Sequence, residues 1–121
     1  MEKIKCICVM RELMLALSNF EHKLIQSHNV SLNEAMVLCA IGYDCVTATH
    51  ISECTGLRPS NASKVIGALE HKGLIARQMG EKDKRQMYLS LTKSGKDLLK
   101  QIKDYKFDIP ELLKPIFDNP L

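Results

Sequence analysis

Apolar side chains recur at Ile4, Ile7, Met10, Met14, Leu17, Phe20 and Leu24, in steps of three and four with polar residues between them. Steps of that size line up along one stripe of a helix, so the pattern predicts a long amphipathic helix ending near Ser27 to Asn29. Ser31 followed by Glu34 has the spacing of a capping box. It predicts a second helix carrying Met36, Val37, Leu38, Ala40 and Ile41, stopped by Gly42. Cys45 and Val46 are expected to pair as a short strand. Thr47 then offers a cap for a short helix from Ala48 to Thr55, and Gly56 permits the left-handed turn that ends it.

A further helix is predicted from Pro59 to Lys72, with Pro in its first turn and Gly73 as its stop. Ala62, Val65, Ile66 and Leu69 form its inward face, which leaves Ser60, Asn61, Ser63, Lys64, Gly67 and His71 outward. Residues 74–79 and 86–91 are two strand-length runs joined by the charged loop Gly80 to Arg85, a hairpin with a basic tip. Thr92 caps a last helical region from Lys93 to near Tyr105, with Leu98, Leu99 and Ile102 inward. Pro110 then breaks the helix or opens a short new one, Glu111 to Phe117, bearing Leu112, Leu113, Ile116 and Phe117. No internal repeat is visible. A short helix, a glycine turn, a second helix with a polar outer face and a two-stranded wing make the expected class α+β, mainly α: a winged helix-turn-helix with flanking helices.

The length of 121 residues fits a single domain, and 45% hydrophobic residues is too many for charge-driven disorder. The longest apolar run, Ala35 to Tyr43, is nine residues, half of what a membrane span requires. Arg11 and Glu12 interrupt the apolar run from Cys6 to Met10, so no export signal is read there and the cytoplasm is the expected location. The formal net charge of +3 is too small by itself to imply nucleic acid. Its distribution says more. Residues 47–96 carry nine basic and four acidic side chains, whereas residues 1–46 and 97–121 each carry four basic and five acidic. The basic excess therefore coincides with the helix-turn-helix and its wing. Ser60, Asn61, Ser63 and Lys64 are candidates to reach base edges or a phosphate from the second helix, and Lys82, Lys84 and Arg85 are candidates to contact backbone or minor groove from the wing tip. Asp83 is placed to orient an arginine.

The stretch Thr47 to Gly56, the run from Ser63 to Arg77, Asp83-Lys84-Arg85, and Leu91-Thr92-Lys93-Ser94-Gly95 together resemble the MarR family of bacterial transcriptional regulators. The Leu-Glu-x-x-Gly-Leu-Ile-x-Arg turn into the wing, the Asp-x-Arg of its tip and the Leu-Thr-x-x-Gly after it carry the likeness. It covers roughly residues 31–99. The resemblance implies a symmetric homodimer joined through its first and last helices, residues 1–28 and 97–121, with residues 47–96 as the core that binds double-stranded DNA. It also implies regulation of transcription by repression, and a small-molecule effector that no residue here identifies. The chain is short for that family, which implies abbreviated dimer helices. A dimer is expected on area grounds too, because the first helix and the 112–117 segment carry more apolar surface than so small a winged core can cover.

Cys6, Cys8, Cys39, Cys45 and Cys54 make an odd count and are expected to be reduced thiols. Cys6 and Cys8 raise a redox-sensing alternative, against which stands the ordinary role of cysteine as a small core residue. One Cys-x-Cys with scattered His22, His28, His50 and His71 lacks paired-ligand spacing, so no metal is expected. Met10, Met14 and Met36 are read as core. No nucleophile elbow, Gly-rich phosphate loop or paired carboxylate motif is present, so neither an enzyme nor a cofactor is expected. A winged-helix protein-interaction module without DNA binding is the alternative from a different class.

Overall fold

The computed structural model describes residues 3–80, 85–105 and 111–115. The chain forms two compact units, one of Met1–Asn29 with Tyr105–Leu121 and one of Val30–Asp104. In the first, α1 (Lys3–His28) runs for 26 residues, as the spacing predicts. It ends where Asn29 turns into the left-handed region (φ 58°) and donates its N–H to the Ile25 carbonyl at 2.9 Å. Asparagine adopts that conformation more readily than other non-glycine residues. The His28 ring meets Tyr105 edge to face, with centroids 5.0 Å apart. A 3-10 turn, Glu111–Leu113, lies farther along the same unit.

The apolar stripe of α1 divides. Leu24 is buried and Phe20 half-buried, but Ile7, Met10, Met14 and Leu17 are exposed. Toward the N-terminus the half-buried positions are instead Val9, Leu13 and Ala16, a neighbouring stripe at the same helical spacing. The side chains of Ile4 and Leu112, and residues Lys82, Asp83, Lys84, Pro110, Ile116 and Phe117, lie outside the described residues.

In the second unit, α2 (Leu32–Ile41) opens on the expected capping box. The Ser31 hydroxyl accepts the Glu34 N–H at 3.1 Å, and the Glu34 carboxylate accepts the Ser31 N–H at 2.9 Å. β1 is Val46–Thr47, and α3 (Ala48–Thr55) is capped by the Thr47 hydroxyl, which accepts the His50 N–H at 3.1 Å. Gly56, at φ 76°, makes the left-handed turn that leads to α4 (Pro59–His71). β2 (Ile75–Met79), β3 (Met87–Leu91) and α5 (Lys93–Asp104) complete the unit.

The three strands form one antiparallel sheet in the order β1-β3-β2. β1 lies one residue later than expected: Val46 pairs with Leu89 and Thr47 with Tyr88, while Cys45 is exposed outside the ladder. That register puts Val46 on the same face as buried Leu89, a long-range fit that local sequence does not display. Ile75, opposite Leu91, continues the inward face. Val37, Leu38, Ile41, Ile51, Ala62, Ile66, Leu69 and Leu99 are also buried in this core, and Val65 is half-buried. Each fully buried leucine or isoleucine there stabilises the fold by about 1.5–3 kcal/mol.

Candidate nucleic-acid interface

The second helix of the helix-turn-helix is held at both ends by backbone geometry. At its N-terminus Arg58 is extended (φ −64°, ψ 148°) and gives no side-chain cap, and Pro59 at the first position has no N–H to satisfy. The first intrahelical bond runs from the Ala62 N–H to the Arg58 carbonyl at 2.8 Å, so the N–H groups of Ser60 and Asn61 have no acceptor within the helix. At the C-terminus the Leu74 N–H donates to the Leu69 carbonyl at 3.0 Å and the Gly73 N–H to the Glu70 carbonyl at 2.9 Å. Those two bonds form a Schellman turn, which needs the left-handed φ of 75° that Gly73 supplies. Buried Leu69 and Leu74 provide its apolar clasp.

Between those ends, Ala62, Ile66 and Leu69 are buried while Ser60, Asn61, Ser63, Lys64, Gly67 and His71 are all exposed. The four helix candidates therefore stand together on the outer face of the first two turns. Arg85, also exposed, is the described member of the wing-tip set, and Lys82, Asp83 and Lys84 lie outside the described residues. The tip is closed at its base by the Gly80 N–H donating to the Gln86 carbonyl at 2.9 Å.

Some of the basic excess is engaged in ion pairs within the unit. Arg77 on β2 donates from Nε to Glu70 on α4 at 2.7 Å, and Lys72 pairs with Glu34 on α2 at 2.9 Å. These two cations tie elements of the unit together. They also explain part of the Leu-Glu-x-x-Gly-Leu-Ile-x-Arg motif: leucines and isoleucine for the core, glycine for the turn, and glutamate and arginine as a clasp between helix and strand. The Leu-Thr-x-x-Gly motif has a similar logic. The Thr92 hydroxyl donates to the Gly73 carbonyl at 2.7 Å and accepts the Gly95 N–H at 3.1 Å. A Cβ on Gly95 would collide with the Leu74 carbonyl oxygen, so α5 packs against the turn after α4 with no room for a side chain there.

Sequence reading did not single out Arg58, an exposed cation at the N-cap of α4. The signal was present, a basic residue directly before a proline that opens a helix. Cys6 and Cys8 are half-buried, while Cys39, Cys45 and Cys54 are exposed. Among the described residues no group of three or more His, Cys, Asp or Glu side chains is arranged to hold a metal, and no helix is long and apolar enough to cross a membrane.

Comparison with known proteins agrees with this architecture. The MarR family model matches residues 28–86. An uncharacterised HTH-type transcriptional regulator of Bacillus subtilis (strain 168), YwaE, is 25% identical over 83 residues, 68% of this chain and 48% of that protein, so the chain spans about half of its relative's length. Among solved structures, Bordetella bronchiseptica BpsR, described with regulation of its DNA binding by 6-hydroxynicotinic acid, superposes with a TM-score of 0.71 at 18% identity, covering 99% of this chain and 87% of that one. A cysteine-to-serine mutant of E. coli MarR, in complex with operator DNA, gives 0.67 at 19% identity over 80% and 72%. Matched sequence, element order and structural likeness converge on one architecture: residues 28–86 match the MarR family model, and the fold is that of winged helix-turn-helix proteins.

Proposed function

We propose that the protein is a dimeric regulator of transcription that binds double-stranded operator DNA, with α4 in the major groove and the wing tip beside the backbone or in the minor groove. The observation that carries this reading is the segregation of α4. Its apolar positions are buried, and Ser60, Asn61, Ser63 and Lys64 share an exposed face beside a helix N-terminus that lacks a side-chain cap. Short hydrogen-bonding side chains on such a face suit base edges, while open N–H groups and Arg58 suit a phosphate. Lys82, Lys84 and Arg85 supply phosphate or minor-groove contacts, with Asp83 orienting the arginine. The operator complex of the E. coli neighbour supports the same partner here.

The exposed row Ile7, Met10, Met14 and Leu17 on α1 supports a second copy of the chain as the other partner, joined through residues 1–28 and 97–121. Repression in the cytoplasm follows if the dimer occupies a promoter, and a small effector acts by altering the separation of the two recognition helices, which must match about one turn of DNA or a multiple of it, roughly 34 Å. Selection of bound sites from a random duplex pool tests the reading. A palindrome is expected, because it reports sequence specificity and two-fold symmetry together. A pool without enrichment, and without salt-dependent affinity for any duplex, would identify a protein-interaction module instead.

A further inference from the structure

Among the described core positions Glu34 is the charged one. Its Oε1 accepts the Ser31 N–H at 2.9 Å and lies 3.0 Å from Lys72 Nζ, and its Oε2 lies 2.9 Å from the same Nζ. One carboxylate thus holds the N-terminus of α2 and, 38 residues later, the C-cap of α4. Glu34 is buried while Lys72 keeps a third of its side chain in water, so desolvation of the carboxylate and solvent screening of the ammonium together leave the pair a poor source of net stability. What it supplies is a fixed direction. The C-terminal end of α4 is clasped from the sheet by Arg77 through Glu70, and from α2 by Glu34 through Lys72.

We propose that Glu34 is a positioning residue for DNA reading, which through Lys72 sets the tilt of α4; the inference rests on the assignment of α4 to the major groove. Leverage makes a small tilt matter. A helix of 13 residues is about 20 Å long, so a rotation of about 10° pivoting at its C-terminal end displaces the first turn by about 3 Å, more than a hydrogen bond tolerates. The side chains assigned to base edges, Asn61 and Ser63, stand on those first turns, far from the clasp.

Glu34→Gln separates this role from its competitors. Glutamine also serves in a capping box, so the start of α2 is kept, and Lys72 keeps its charge. Electrostatics alone predicts tighter DNA binding, since a negative charge is removed; a positioning role predicts the opposite on the specific site. Fluorescence anisotropy is measured on the duplex selected by the wild type and on a random duplex at one salt concentration, alongside thermal unfolding. The expected result is a loss of about tenfold or more on the selected duplex, with random-duplex affinity within about twofold and a melting temperature close to wild type. Lys72→Arg, which can keep the ion pair, is expected to bind like the wild type. Unchanged or tighter specific binding by Glu34→Gln overturns the inference, and so does a loss shared equally by both duplexes, the mark of a merely structural pair. If the wild type selects a duplex and Glu34→Gln binds it equally, this inference alone fails; if the wild type selects none, the assignment of α4 fails and takes this inference with it.

Discussion

The unit of residues 30–104 and the helix α1 are both amphipathic by sequence, yet their apolar residues end differently. In the winged unit Leu38, Ile51, Leu69 and Leu99 are fully buried, α2, α3 and α5 open on side-chain caps, and α4 closes on a glycine turn. On α1, Ile7 is 70% and Met14 71% exposed in a row that has the same three-and-four spacing. The same periodicity therefore marks a core in one region and an uncovered surface in the other. Hydrophobic burial is non-directional: a stripe specifies that something apolar must cover it, without specifying that the cover belongs to the same chain.

The contrast can be broken by substitution. Leu69→Ala should cost the winged unit about 2–5 kcal/mol, because it leaves a cavity where α4 meets the core, and thermal unfolding measures it. Thr92→Ala should cost about 1 kcal/mol by removing the cap of α5, together with its bond to the turn after α4; a loss no larger than that of an exposed control such as Lys93→Ala would make the cap incidental. Met14→Glu should change the stability of the winged unit by no more than about 0.5 kcal/mol, as expected of an exposed site. If the proposed dimer forms through α1, the wild type should sediment at the mass of two chains and the same variant at the mass of one. A destabilised winged unit with unchanged sedimentation would mean that Met14 belongs to an intramolecular core.

Much of the fold was legible because its boundaries are chemical. Ser31 with Glu34, Thr47, Gly56, Pro59 and Gly73 each mark a helix end that the structure places where the sequence puts it. Long-range fits were not legible. β1 slipped by one residue because its register is set by Leu89 and Tyr88, more than forty positions away. The commitment of Lys72 to Glu34 is equally invisible in a charge count, which credits Lys72 to the basic segment. The outer face of α4 was readable from its period alone, since Ser60, Asn61, Ser63 and Lys64 fall off the stripe of buried positions that recurs at helical spacing. Arg58 escaped because it lies just outside the helix on which that period is defined.

The central claim is that this outer face reads base sequence. Asn61→Ala tests it most directly, with affinities for the selected duplex and for a random duplex measured side by side at the same salt concentration. The account predicts that the selected duplex loses about 1–3 kcal/mol of binding free energy while the random duplex is nearly unaffected, because a base contact contributes to discrimination and a phosphate contact does not. Equal losses on both duplexes, or no loss on either, would contradict it.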